Sequence, residues 1–219
     1  MDRRCALATL SALGALTVWP ALGRAGEGKS VALPAPQTDG GKPLMQALRL
    51  RQSAREYRSE PLPPQVLSNL LWAAFGVNRP DSGKRTAASA MNWQEIDLYC
   101  AMSEGLFAYE PDGHSLRLVL AEDLRSQTGR QSFVEHAPLN LVYVADHSRM
   151  GFTASAEDKA LYSAADTGLI SQNVYLFCAS EGLATVVRGW VDRDGLAKRM
   201  KLRKEQRIVL AQTVGYPAT

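Results

Sequence analysis

Residues 166–190 read DTGLISQNVYLFCASEGLATVVRGW, and how this stretch folds decides the architecture. Its first part continues a helical pattern that begins near Glu157 and runs to Glu181. Apolar residues lie on nearly every side of it: Leu161, Ala165, Leu169, Val174, Leu176 and Phe177. A helix that is apolar all round is buried, in a core or between subunits. Gly182 stops it, because glycine takes the left-handed conformation that closes a helix without steric cost. The β-branched run LATVVRGWV then reads as a strand, with Arg188-Gly189 near its end. A glycine there lets a backbone approach a flat ligand closely. An ordinary strand after a helix cap is the plainer alternative.

Outward from this stretch, helices and strands interleave. PLMQALRLRQS is a short helix, and PPQVLSNLLWAAFGV is a second, with proline in its first turn and Gly76 at its end. EIDLYCAM alternates as a strand, and GLFAYEPDGHSLRLVLA folds back around Pro111-Asp112-Gly113 as a hairpin. LNLVYVAD and RIVLAQTVGYP are strands, and DRDGLAKRMKL is a helix between the last two strands. NRPDSGKRTAASAMNWQ reads as one long loop. The class is α+β, with a mixed or mainly antiparallel sheet flanked by helices.

With 219 residues, 46% of them hydrophobic, the chain can build one ordinary globular domain. A net charge of +3 and no long Lys/Arg block exclude a phosphate-tracking nucleic-acid binder. Cys5, Cys100 and Cys178 have no metal-ligand spacing with His114, His136 and His147, so no metal is expected. Cys100 and Cys178 sit in apolar runs and read as buried free thiols.

Residues 1–25 have a charged start, an apolar stretch from Ala6 to Leu22 and small residues near Ala25. That is the layout of a secretory signal, too short and too interrupted for a stable membrane span. Arg3-Arg4 resembles the twin-arginine type. Export to the periplasm is expected, with the cytoplasm as the alternative. Residues 26–42 read as a linker or extended arm, and 43–219 as the domain.

Two further stretches carry candidate chemistry. In LRQSAREYRSEPL (50–62), Arg51, Ser53 and Arg55 form R-x-S-x-R. Two guanidiniums this close repel unless an anion such as a phosphate lies between them. A solvated basic helix end is the alternative. In AASAMNWQE (87–95), Ser89, Asn92 and Gln94 set polar groups among apolar ones at a loop–strand junction. Their donors and acceptors suit a heteroaromatic ring edge. A loop satisfying its own backbone is the alternative.

Taken in order and spacing, RQSAREY, ASAMNWQEI, APLNLVYVAD and DTGLISQNVYLFCASEGLATVVRGW resemble the nitroreductase family over roughly residues 43 to 217. The resemblance implies an obligate homodimer with FMN in clefts at the subunit interface, and it places the long apolar helix in the dimer core. It implies that Arg51 and Ser53 contact the phosphate and ribityl chain and that Arg55 lies near the pyrimidine edge. Ser89 and Asn92 fall to the ring. Arg188 and Gly189 fall to the segment whose backbone N–H faces flavin N5. No side chain is expected to act as acid, base or nucleophile.

Three positions depart from the family's pattern: Gln52 stands for a second arginine, Ala88 for a proline, and no basic pair follows the last strand. Phosphate binding is therefore expected to lean on Arg51, helped by Lys84 or Arg85. The implied activity is a ping-pong transfer of electrons from a small-molecule donor, NAD(P)H being the candidate, to an acceptor such as a nitroaromatic or quinone. A dehydrogenase of a modified peptide or metabolite, and a non-enzymatic flavin carrier, are the alternatives.

Overall fold

The computed structural model describes residues 28–152 and 154–218; the export signal expected over residues 1–25 lies outside them. Seven strands form the main sheet: β1 (Ser30–Ala32), β4 (Ile96–Met102), β5 (Gly105–Glu110), β6 (Ser115–Leu120), β7 (Leu139–Asp146), β8 (Ala184–Arg188) and β9 (Gln206–Gly215). Their order is β1-β6-β5-β4-β7-β9-β8, and every neighbouring pair is antiparallel. Helices α1 (Leu44–Leu50), α2 (Pro64–Phe75) and α3 (Ala156–Glu181) cover one face. Helix α4 (Arg193–Arg199) covers part of the other. The fold is the expected α+β class with a mainly antiparallel sheet.

The central strands are buried on both faces, so the alternation read in EIDLYCAM divides two cores and not core from solvent. Along β4, Leu98 and Cys100 meet Leu70, Leu71 and Phe75 of α2 in one core. The alternate residues Tyr99 and Ala101 join Leu196 of α4 in a second. Strand β7 divides likewise, Leu141 and Tyr143 to the first core and Val142 and Val144 to the second. Cys100 and Cys178 are buried and free, as expected, and burial pushes both thiols up.

Local signals placed most elements. Pro64 opens α2 at its first position. Ser155 and Asp158 form a capping box on α3, and Gly182 closes it at φ 73°. Gly76 closes α2 for a different reason. Its backbone is extended, at φ −71° and ψ 163°, and a side chain there would meet Trp72 Cα and O at 2.7 Å.

Three expectations need correction. The arm over residues 26–42 contains β1, which zips onto β6, and Gln37 N and Lys42 N donate to Asn69 and Ser180. Residues 78–94 are not one loop. They hold a small hairpin, β2 (Val77–Arg79) with β3 (Lys84–Arg85), and 3-10 turns at Pro80–Ser82 and Ala90–Asn92. Most consequentially, α3 is not uniformly apolar. Its buried face carries Ser163, Asp166, Thr167 and Ser171 beside Ile170 and Val174, while Leu161 and Leu169 are 63% and 47% exposed.

Candidate functional site

Helix α1 ends at Arg51, whose φ −58° and ψ 120° turn the chain into an extended run. Successive residues of such a run face opposite sides, so Arg51, Ser53 and Arg55 share one side. Ala54 N donates to Thr185 O of β8 at 3.0 Å, which lays the run along the sheet's edge. Tyr175 of α3 then ties the pieces together. Its hydroxyl lies 2.8 Å from Ser53 Oγ and accepts the Val187 N–H at 3.0 Å, and Arg51 stacks over its ring at 5.4 Å. Among the described residues neither Arg51 nor Arg55 has a carboxylate partner.

Strand β8 is the last in the sheet, so half of its backbone groups face outward. Thr185 O and Val187 N are both taken, by Ala54 and Tyr175. Two residues on, in the same outward register, is Gly189, exposed and with no acceptor for its N–H among the described residues. Nothing in the chain demands glycine here. A side chain would sit 3.7 Å from Leu210, an ordinary contact. The open amide and the empty space beside it face out of the protein.

Arg188 behaves otherwise. Its side chain is 4% exposed and turns under the sheet, where Nε donates to Thr213 Oγ1, Nη1 to Thr128 O and Nη2 to Asn140 Oδ1. Only the backbone of this segment reaches the cleft.

The second cluster is a strained loop. Met91, Asn92 and Gln94 all have positive φ, at 51°, 56° and 48°. Such conformations cost energy and persist where surrounding contacts over-determine them. Here Ser89 Oγ accepts Gln94 N at 2.8 Å and donates to Glu95 Oε2 at 3.3 Å. The Gln94 amide accepts from Arg85 Nε and donates to Gly83 O and Asn92 Oδ1. Ala90 N donates to Asp166 Oδ2 of α3 at 2.9 Å. Ser89 and Gln94 thus satisfy the loop itself, and Asn92 keeps its Nδ2 donors free of partners among the described residues.

Glu95 is wholly buried, with the Asp166 carboxylate as a neighbouring charge. Burial, and then this neighbouring carboxylate, push the Glu95 carboxyl above its ordinary value. Arg85, a candidate phosphate ligand, is held by Gln94, by Asp112 at 3.2 Å and by the Phe75 ring. Lys84 remains exposed.

The two clusters do not meet within one chain. Asp166 anchors the loop and Tyr175 anchors the basic run, nine residues apart on α3. That is about 14 Å and two and a half turns, which sets them at opposite edges of the buried stripe. Tyr175, Asp166 and Glu95 escaped the sequence reading. Asp166, a carboxylate among small and apolar residues in the middle of α3, was the available signal.

The fold is thus a two-faced antiparallel sheet with a long helix across it and a basic run along its open strand edge. The profile of the nitroreductase family matches residues 48–216. A Methanocaldococcus jannaschii protein assigned as a nitroreductase is 31% identical over 172 residues, 74% of this chain and 85% of that one. A crystal structure of a Ralstonia eutropha JMP134 protein, also assigned as a nitroreductase, is 46% identical. It superimposes with a TM-score of 0.83, covering 89% of this chain and 93% of that one. An NADPH:FMN oxidoreductase from Vibrio harveyi, solved with NAD+, shares the fold at 18% identity and a TM-score of 0.61, over 80% and 69% of the two chains. The chain belongs to the nitroreductase family, and that membership makes it an oxidoreductase.

Proposed function

We propose that the protein is an FMN-dependent oxidoreductase that passes electrons from a small donor to a small acceptor by a ping-pong route. The observation that supports this reading is the basic run itself: it is laid along the β8 edge, neither Arg51 nor Arg55 has a carboxylate partner among the described residues, and the same edge leaves the Gly189 N–H open. A cofactor with an anionic phosphate and a flat ring fits that set. Arg51 and Ser53 would hold the phosphate and ribityl chain, and Arg55 the pyrimidine edge. The Gly189 N–H would face the ring. FMN, when bound, supplies the redox chemistry; the chain binds it, orients it and keeps water from it.

The second cluster completes the site from another copy. Leu161, Ala165 and Leu169 form an exposed stripe on α3, and Leu44, Met45 and Leu48 are exposed on α1, which packs against the same helix nearer its C-terminal end. A symmetric homodimer covers that apolar surface and brings the Asn92 loop of one protomer to the arginines of its partner. Export of the folded, cofactor-loaded chain, directed by Arg3-Arg4, belongs to the same proposal. It makes the identity of the donor an open choice, since NAD(P)H is its cytoplasmic candidate. No helix among the described residues is long and apolar enough to cross a membrane.

The purified protein is expected to be yellow with about one FMN per subunit, and its flavin to bleach under an anaerobic donor and recover with a nitroaromatic or quinone. A colourless chain that takes up no FMN would refute the proposal. FMN that only oxygen reoxidises would mark a carrier.

Gly189→Ala separates fold from site. The backbone there is not left-handed and the space is open, so melting should stay within about 0.5 kcal/mol of wild type. FMN affinity should fall about tenfold or more, because a methyl intrudes where the ring would rest. Equal loss of stability and affinity would mean that Gly189 serves the fold.

A further inference from the structure

Arg188 is a buried cation without an anion. Its guanidinium donates to Thr213 Oγ1 at 3.0 Å, Thr128 O at 2.8 Å and Asn140 Oδ1 at 2.9 Å, and lies over the Phe133 ring at 6.0 Å. Every one of these partners is neutral, and among the described residues no carboxylate pairs with it. Desolvation pulls its pKa down to about 10, so it remains charged at neutral pH. An unpaired buried charge is costly, and apolar residues often replace buried ions with no loss of stability. Stability alone gives no reason to keep it. Its position does. The next residue, Gly189, leaves its N–H free at the edge of β8 while the Arg188 side chain turns beneath the sheet, so a ring held at that N–H would lie on the order of 10 Å from the guanidinium.

We propose that Arg188 is a fixed positive charge that makes the protein favour reduced over oxidised flavin, acting through the low-dielectric sheet without touching the ring. The inference rests on the FMN reading above. Two electrons and one proton entering the ring leave it with one added negative charge, the electrons coming from the donor that reduces it and the proton from donor or solvent. A unit charge at about 10 Å, with an effective dielectric of about 20, stabilises that added charge by about tenfold in an equilibrium constant. Arg188 is thus neither a flavin ligand nor a proton carrier. Burial keeps its charge little screened by salt.

The test is an anaerobic redox titration of the FMN-loaded protein against a dye of known potential, with melting recorded in parallel. Arg188→Gln removes the charge but can still donate to Asn140 or Thr128. Asn140→Asp keeps the guanidinium and gives it a carboxylate, cancelling its field by an independent route. Both should lower the two-electron midpoint by about 30 mV, the equivalent of tenfold, and Arg188→Lys should leave it near wild type. If Arg188→Gln fails to fold, Asn140→Asp decides alone. Lowered melting with an unchanged midpoint in either charge-cancelling variant would overturn the proposal and leave Arg188 as a structural anchor. Wild-type protein that binds no FMN would instead sink the functional reading itself.

Discussion

Leu169→Glu is expected to leave the chain folded, monomeric and without FMN. Leu169 is 47% exposed in the single chain, so the substitution disturbs no packing within it, and melting of the isolated subunit should change little. Residues 161, 165 and 169 are successive i, i+4 neighbours and form one ridge of α3. In a symmetric pair each ridge meets the partner's apolar surface. A glutamate there places two carboxylates in the interface, each carrying a desolvation penalty of several kcal/mol. The dimer dissociation constant should rise by on the order of a thousandfold or more. FMN is lost with the dimer, because one chain holds its Asn92 loop about 14 Å along α3 from its Arg51 run. Light scattering read together with flavin absorbance checks this. A dimer that stays intact and yellow would contradict the proposed interface, and a yellow monomer would show that one chain completes the site.

Asp166→Ala is the second large effect. Asp166 is 4% exposed and accepts the Ala90 N–H, the main tether between the strained loop and α3. Its removal leaves a donor unsatisfied and Glu95 without its neighbour. A cost of about 2–3 kcal/mol follows, the scale for a hydrogen bond to a charged group. For a domain of this size that is roughly 4–12 °C in melting temperature. Asp166→Asn keeps an acceptor and should recover most of it. Equal melting of Asp166→Ala and wild type would show that the loop holds itself.

The Glu95–Asp166 pair also sets a pH dependence. The folded state keeps the Glu95 proton to a higher pH than the unfolded chain, whose carboxyl titrates near 4.5. Between 4.5 and that raised value the native state binds more protons, so its stability falls as pH rises. Glu95→Gln carries a permanent N–H donor and should flatten this decline while matching wild type below pH 4.5. Denaturant titrations at several pH values provide the check, and parallel slopes for the two proteins would remove Glu95 as the cause.

Most elements were legible because their signals are local. Pro64 at a helix start, the Pro111–Gly113 turn, Gly182 after α3 and the alternation in EIDLYCAM each depend on a few neighbouring residues. The β2–β3 hairpin was missed because its strands are short and rich in turn residues, a composition that reads as loop. The arm was read as extended, yet its strand could not be foreseen. Leu33 N donates to His114 O, and that partner lies 81 residues away in the chain.

The candidate site divides along the same line. By itself the sequence determined which residues carry charge and hydrogen-bonding groups, their order, and the family pattern in which R-x-S-x-R, the Ser89–Gln94 loop and Arg188-Gly189 recur. The tertiary structure decided which of those groups remain available. Arg51 and Arg188 are the same side chain in the sequence. One lies on Tyr175 at the cleft, and the other is locked under the sheet by Thr128, Asn140 and Thr213, which are 60, 48 and 25 residues away. Ser89 and Gln94 were drawn into their own loop, while Asn92 stayed free. Whether a buried polar group is satisfied depends on partners that only the folded chain brings within 3 Å, and so function here follows from the non-local contacts.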